Sequence, residues 1–504
     1  MNKKYFLIGN AHIDPVWQWC VPEGLSVVKS TFRSALDRMI EYPNYVFTSA
    51  CASYYKWIKL SEPEMFEEIK QRIKEGRWKY AGGMWVQPDC NIPCGESFAR
   101  HFLYSQRFFK ENFGAITKSG YNVDSFGHNG MLPQLLRKAG MKNYVYLRPS
   151  RDAEKKDLPE SSLHYWNSPD GSSVTAFHIL DGYGDDLRDE RVARYENQNH
   201  SQMLFYGIGN HGGGPAKEHL KQAEKLIEKG NSVYSGVDEF FDYVRENETD
   251  DIPTVNEDLQ HHASGCYSAN SKIKKLNREA ENELIYAEKI DVLASVLTKS
   301  ATKSAEIEKA WERVMFNQFH DILPGSSIHE VYEVTKKEYA EMEAEITALR
   351  EERLDALTPA GEGVTVYNTT GFVRSDVVEL GDCKAEALQD EAGNIYPVQK
   401  TADGAVAFLN NLPAKGSKTF AVVPAQVSAA PFEIATDGHK IDTPFYTVTF
   451  DEHGQMTGIF DKENRREVLK PGQAGNLFRV YEDKPIYYDN WDIDIFYTEK
   501  FWDV

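Results

Sequence analysis

Residues 9–20, GNAHIDPVWQWC, end the first apolar run of the chain, YFLIGNA, and set a histidine and an aspartate two positions apart between a strand and a proline. Alternate residues of a strand share a face, so His12 and Asp14 direct an imidazole and a carboxylate at one spot. Such a pair is half of a metal site, although a strand-end histidine that caps a turn has the same local look. The other ligands must come from elsewhere in the chain. Reactive groups at the carboxyl end of a buried strand are the layout of an α/β domain.

Outward from this stretch, strand-like runs alternate with amphipathic helical segments up to about residue 250. YVFTSA, WKYAGGMWV, AITKSGYNV, NYVYLR, SVTAFHIL and MLFYGIG read as strands, and SFARHFLYSQRFFKENF and KEHLKQAEKLIEK as helices between them. The alternation predicts a barrel-like α/β catalytic domain with parallel strands over residues 1–265. From 266 to 357 the period becomes helical: Ile273, Leu276, Ala280, Leu284, Ala287, Ile290 and Leu297 recur three or four residues apart, predicting a helical bundle. Its last helix is expected to open with Ser327 and Glu330 in capping-box spacing. Short alternating strands then predict a small β domain over 358–430 and the start of a larger β-sandwich over 431–504. The ending DIDIFYTEKFWDV reads as an unfinished sheet, so a fragment of a longer protein is expected.

Fifty-seven basic residues against 77 acidic ones give a net charge of −20. That surface argues against nucleic acid or an anionic membrane as partner and favours a neutral or cationic substrate. The opening MNKKYFLIGN has too short an apolar run for a signal or a membrane span, so a cytoplasmic location is expected. Six cysteines in 504 residues are too sparse for a disulfide scaffold, and Cys90 and Cys94 lack a second close pair for a structural zinc site.

Two further stretches supply ligand types. In GYNVDSFGHNGMLPQLL, residues 120–136, a strand ends at Asp124, with His128 four residues on; in MFNQFHDILPGSSIHEVY, residues 315–332, His320 and Asp321 interrupt an apolar helical face. Each alone reads equally as a turn aspartate or a satisfied core pair. Together, His12, Asp14, Asp124 and His320 offer two nitrogens and two carboxylates, a mixed set suited to catalytic zinc with a position open to substrate.

AHIDPVW, NVDSFGH, YVYLRPS and NQFHD resemble the corresponding stretches of the retaining α-mannosidases of glycoside hydrolase family 38, of the class II type. The similarity extends in order through PDGSSV, SKIKKLNRE, FDEHGQMTGIFDKENRREVL and YYDNWDID, nearly the whole chain. The resemblance implies one zinc held by His12, Asp14, Asp124 and His320, with Asp124 also the nucleophile. It further implies that Trp17 and Phe126 line the subsite of the cleaved mannose and that Arg148 and Asp321 hold polar groups nearby. Mannosides or glycans would be the substrates, and self-association is left open.

One segment departs from the family. Relatives carry a carboxylic acid in a Gly-rich stretch after a strand, where this chain has GIGNHGGGP, with Asn210 and His211. The proton donor is therefore either His211 or Asp258 in VNEDLQHHASG, with a slight preference for Asp258 because a carboxylic acid is the usual donor. The G-x-G-x-x-G of Gly207, Gly209 and Gly212 lacks the context of a nucleotide loop, and its glycines are expected to let backbone approach a sugar. Tyr183 and Asp185 in LDGYGDD are further candidates for sugar hydroxyls. Trp85, Asp89, His261 and His262 read equally well as structural. Two competing functions remain at this stage: a metal-dependent carbohydrate deacetylase, and a catalytically silent glycan-binding homologue.

Overall fold

The computed structural model describes residues 3–149, 160–209, 211–260, 263–358, 361–424 and 435–504; Asn210, His261 and His262 lie outside them. The chain forms two compact units. The first comprises Met1–Ala287, Lys303–Leu349 and Pro485–Ile493; the second comprises Glu288–Thr302, Arg350–Lys484 and Asp494–Val504.

The first unit is built on ten strands: β1 (Tyr5–Asn10), β2 (Phe47–Ser49), β3 (Trp78–Tyr80), β4 (Ser119–Asn122), β5 (Asn143–Tyr146), β6 (Leu163–Asn167), β7 (Ser173–His178), β8 (Gln202–Tyr206), β9 (Ser232–Tyr234) and β10 (Thr254–Val255). Every residue of β1 is buried, as a strand covered on both faces must be, which is why YFLIGN is almost continuously apolar. It pairs in parallel with β2, β8 and β9, and β3 extends the sheet beyond β2. A second sheet runs β10-β6-β7-β5-β4. All its pairs are parallel except β6 with β7, where PDGS makes a tight hairpin: Asp170 Oδ1 accepts the Ser172 N–H at 3.0 Å, and Gly171 takes φ +84°. The result is a parallel-strand half-barrel with one antiparallel pair, β6 and β10 running opposite to β7, β5 and β4.

Helix Val21–Glu41 follows directly on the His12–Asp14 stretch. A proline in its first turn, Glu23 there and Arg38 in its last turn suit the orphan N–H groups and the dipole. Its Val28, Phe32 and Leu36 are buried, and Phe32 meets Trp78 edge-on at 5.1 Å. Each such side chain contributes about 1.5–3 kcal/mol by leaving water. This packing fixes the helix beside the strand that leads into His12 and Asp14.

The predicted helical segment contains Ser271–Thr298, Ser304–Asn317 and His329–Leu357. Ile273, Ala280, Leu284, Ala287 and Ile290 are buried, whereas Leu297 is 66% exposed, so the apolar stripe ends before the helix does. Ser327 does not cap the third helix: its hydroxyl donates to the Asp321 carbonyl at 2.9 Å, and the helix begins two residues later. The second unit holds a six-stranded antiparallel sheet over residues 363–423, with Leu388, Leu409 and Phe420 at its centre, and a five-stranded one over 435–467. Among the described residues no helix is long and apolar enough to cross a membrane.

Candidate metal centre and active site

The carboxyl ends of β1, β4 and β5 converge in the first unit. His12 and Asp14 follow β1, Asp124 follows β4, Arg148 follows β5, and His320 arrives from the turn after helix Ser304–Asn317. His12, Asp14, Asp124 and His320 each offer an atom within 4.8 Å of the others, and all four are buried.

His12 Nε2 lies 2.9 Å from Asp14 Oδ1 and 3.4 Å from Asp124 Oδ2. His320 donates through Nδ1 to the Gln87 carbonyl at 2.8 Å, which leaves the Nε2 lone pair facing Asp14 Oδ1 at 3.4 Å. That Nε2 is buried without a hydrogen bond. A buried acceptor among carboxylates is costly unless a cation fills the space, and this donor set fits a divalent ion. Without one, the charges compensate by proton uptake. Burial alone would lower the His12 pKa, but Asp14 and Asp124 push it up to about 10, and Asp14 raises His320 against its own desolvation.

Gln87, which the sequence reading passed over, grips the ligand set. Its carbonyl receives His320, its Oε1 accepts the Val123 N–H at 3.0 Å, and its amide nitrogen stands 3.4 Å from His12 Nδ1. Behind it, Gln318 hands its amide to Ser97, Asn277 and the fully buried Glu281, holding the loop that carries His320. Such contacts give no periodic or motif signal.

Asp124 is held as a carboxylate. Arg148 Nε donates to its Oδ1 at 2.6 Å, and Tyr183 OH donates to its Oδ2 at 3.3 Å. Against desolvation, Arg148 and then His12 hold this carboxyl well below the usual range. His128 is part of the support: its Nε2 donates to the Arg148 carbonyl at 2.9 Å while Tyr144 OH meets its Nδ1 at 2.8 Å.

Around this centre, Phe126 lies 5.7 Å from the His320 ring, and the Tyr183 ring lies 4.6 Å from that of His12. Trp17 is half-buried with its edge toward Trp19, 5.9 Å away; Trp19, absent from the sequence-based set, donates to the Asp14 carbonyl at 3.0 Å. The buried Asp321 carboxyl, 3.9 Å from His320 Nε2, is pushed up to about 7, chiefly by burial. Asp185 is turned to its own loop, accepting the Asp186 N–H at 2.8 Å, with Arg191 at 3.8 Å.

The two proton-donor candidates differ in setting. Asp258 is exposed and its Oδ1 accepts the Gly130 N–H at 2.6 Å. His211 bridges through its backbone to Ile13, between two of the clustered ligands, and its Nε2 meets Glu23 Oε1 at 2.8 Å. The glycines beside it are closely packed against the protein. A Cβ on Gly209 would sit 2.4 Å from the Tyr183 ring, and one on Gly212, at φ +75°, would sit 2.4 Å from Val27.

Comparison with known proteins agrees with this geometry. Residues 2–258 match the glycosyl hydrolases family 38 N-terminal domain, 261–357 the alpha mannosidase middle domain, and 441–504 the family 38 C-terminal domain. Alpha-mannosidase G of Dictyostelium discoideum is 27% identical over 99% of this chain and 50% of its own length. Alpha-mannosidase 2C1 of Homo sapiens is 28% identical over 97% of this chain and 47% of its own. The chain thus spans about half the length of these curated relatives. In fold it is similar to an alpha-mannosidase from Enterococcus faecalis V583, with a TM-score of 0.78 at 17% identity, covering 96% of this chain and 66% of that one. With a family model matched over more than half of its residues, the chain belongs to glycosyl hydrolase family 38.

Proposed function

We propose that this chain carries the catalytic centre of a zinc-assisted retaining α-mannosidase, which removes terminal α-linked mannose from mannosides or glycans through a covalent glycosyl-enzyme intermediate. The observation that carries the reading is the double placement of Asp124, inside the four-ligand cluster and bonded by Arg148 at 2.6 Å. Family membership supplies the substrate class.

His12, Asp14, Asp124 and His320 would hold the zinc, which would supply Lewis-acid polarisation of a sugar oxygen. Asp124 is the nucleophile: a carboxylate oxygen bonds to the anomeric carbon as the bond from that carbon to the leaving oxygen breaks. The leaving oxygen takes a proton from the donor. Water then attacks the same carbon, gives its proton back to that donor and frees Asp124, so two inversions restore the α configuration. Arg148 fixes the attacking carboxylate, Trp17 and Phe126 face the apolar side of the sugar, and Asp321 takes a sugar hydroxyl. His211 is favoured as donor over Asp258, because it adjoins the β1 ligands while Asp258 is occupied by the Gly130 N–H.

The test is hydrolysis of an aryl α-mannoside by the full chain, with and without chelator, the first-released anomer being read by proton NMR. Chelator-sensitive release of α-mannose is expected. Release of β-mannose, or turnover indifferent to chelator, would defeat the mechanism; binding without turnover would favour the silent glycan-binding reading, and release of acetate from an acetylated glycan the deacetylase.

A further inference from the structure

Resting on the mannosidase reading, we infer that Arg191 is a positioning residue of the active site: its guanidinium clamps the loop after β7 in the shape that carries Tyr183 onto the nucleophile Asp124. β7 ends at His178, and residues 179–188 cross to the short helix Asp189–Val192 with no strand or helix of their own. Their backbone polar groups need partners, and Arg191, 6% exposed, supplies several from inside the loop. Its Nε donates to Asp181 Oδ2 at 2.7 Å and its Nη2 to Asp181 Oδ1 at 3.0 Å. The same group reaches a carbonyl on either side of Tyr183: Nη2 donates to that of Gly182 at 3.3 Å, and Nη1 to that of Asp186 at 2.5 Å. The buried Tyr195 hydroxyl also donates to Asp181. Against desolvation, Arg191 and then Tyr195 hold Asp181 as a carboxylate.

Tyr183 lies between the two clamped carbonyls, and neighbouring segments hold the loop from outside. The Tyr183 carbonyl accepts Asn10 Nδ2 from the end of β1 at 2.6 Å, and the Asp185 carbonyl accepts the Gly207 N–H at 3.1 Å. A Cβ on Gly184 would stand 3.0 Å from the Gly207 carbonyl, so the loop lies close against the segment after β8. Held in this way, Tyr183 OH donates to Asp124 Oδ2 at 3.3 Å, while Arg148 holds the other oxygen. A buried ion pair adds little to global stability, because desolvating two charges offsets most of their attraction; a planar, bidentate fork does fix geometry. The Arg191–Asp181 pair sits in an irregular loop that touches the nucleophile, where fixed geometry is what the chemistry needs.

The test is a double-mutant cycle in the zinc-supplemented full chain, reading kcat and KM for an aryl α-mannoside in the unaltered chain, Arg191→Lys, Tyr183→Phe and the double variant. Lysine keeps the charge and loses the fork. Tyr183→Phe should lower kcat about 10-fold and Arg191→Lys about 5-fold, each with KM within about 2-fold, and Arg191→Lys should cost nothing further once Tyr183 is Phe. Losses that multiply in the double variant, as a merely structural role would give, overturn the inference, and so does full activity of Arg191→Lys. Tyr195→Phe, which takes one hydroxyl from Asp181, carries the same cycle with a loss of about 3-fold if Arg191→Lys folds poorly. Hydrogen exchange reads the clamp without turnover: Arg191→Lys should speed exchange of the Gly207 amide about 10-fold or more and leave the peptide of His12 and Asp14 unchanged. Unchanged exchange at Gly207 overturns the clamp even in an inactive chain. Absence of turnover by the unaltered chain, with the exchange result as expected, would instead bring down the mannosidase reading and the catalytic use of the clamp with it.

Discussion

Zinc added to metal-free protein near neutral pH should release between one and two protons per chain. In the metal-free site Asp14 and Asp124 are held ionised, and two buried imidazoles balance them by taking protons. His12, pushed up to about 10, is almost fully charged at neutrality, and His320 is raised as well. A metal needs the nitrogen lone pair, so each imidazolium must lose its proton on binding, while the carboxylates lose none. Calorimetric titration in buffers of differing ionisation enthalpy reads the number directly, and zinc affinity should rise about 10- to 100-fold per pH unit between neutrality and pH 10. The same charges set a stability signature. The folded-state pKa of His12 exceeds its ordinary 6.5, so its contribution is fully present below that pH and is lost as pH rises through about 10. The two carboxylates are depressed, so theirs is present above the usual carboxylate range and lost on acidification. Metal-free protein should therefore weaken at alkaline pH by on the order of a few kcal/mol, and zinc should abolish that loss. Zinc binding with a heat independent of buffer would refute the reasoning, because it would mean that the imidazoles were already neutral.

Four further outcomes are expected. Arg148→Gln removes the charge 2.6 Å from Asp124 and should lower kcat/KM by on the order of 10²-fold, with the acid limb of the pH profile moving up. Gly209→Ala forces a methyl against the Tyr183 ring and should lower kcat/KM by about 10-fold or more at nearly unchanged Tm; full activity would show that Tyr183 is not held there for catalysis. Glu281→Leu strands the Cys94 N–H, the Ser97 hydroxyl and the Gln318 amide, and should cost about 3–5 kcal/mol in urea unfolding. His211→Ala should slow mannosides with poor leaving groups far more than activated aryl ones, whereas Asp258→Asn should slow both alike; the reverse pattern would transfer the donor role to Asp258.

The fold and the buried His/Asp cluster were legible in the sequence for different reasons. Strand β1 announced itself because burial on both faces demands a continuous apolar run, but it ends at Asn10, so His12 and Asp14 meet in the turn beyond it rather than on one face of the strand as expected. Asp124 and His320 read only as pieces that could complete the set, and the three-dimensional structure brings them together. Gln87 gave no signal, because it acts through its backbone carbonyl on His320 and through its amide on segments far away in sequence. Trp19 was hidden for a similar reason, since it works through an indole bond to a carbonyl. The glycines of GIGNHGGG signalled close approach without naming what approaches, and the neighbours the structure shows are Tyr183 at Gly209 and Val27 at Gly212.

The spacing of carboxylates, usually the quickest guide to a glycosidase mechanism, points the wrong way in this site. Asp14 has an oxygen within 4.8 Å of one on Asp124, close to the roughly 5 Å expected between nucleophile and acid/base in a retaining enzyme. Yet Asp14 is bonded to His12 at 2.9 Å, and its carboxyl is lowered by that imidazole despite full burial, so it has no proton to give. Asp321 has the raised carboxyl that a donor needs, but Ser326 Oγ donates to its Oδ1 at 2.5 Å and its other oxygen faces His320, on the ligand side of the nucleophile. A proton must reach the leaving oxygen from the side away from Asp124, where the sugar's departing bond points. The segment after β8 adjoins β1 through the His211–Ile13 bridge, and the His211 Nε2 there meets Glu23 Oε1 at 2.8 Å. An imidazole is able to act as general acid and then as general base, which is why His211 is the donor proposed for this chain.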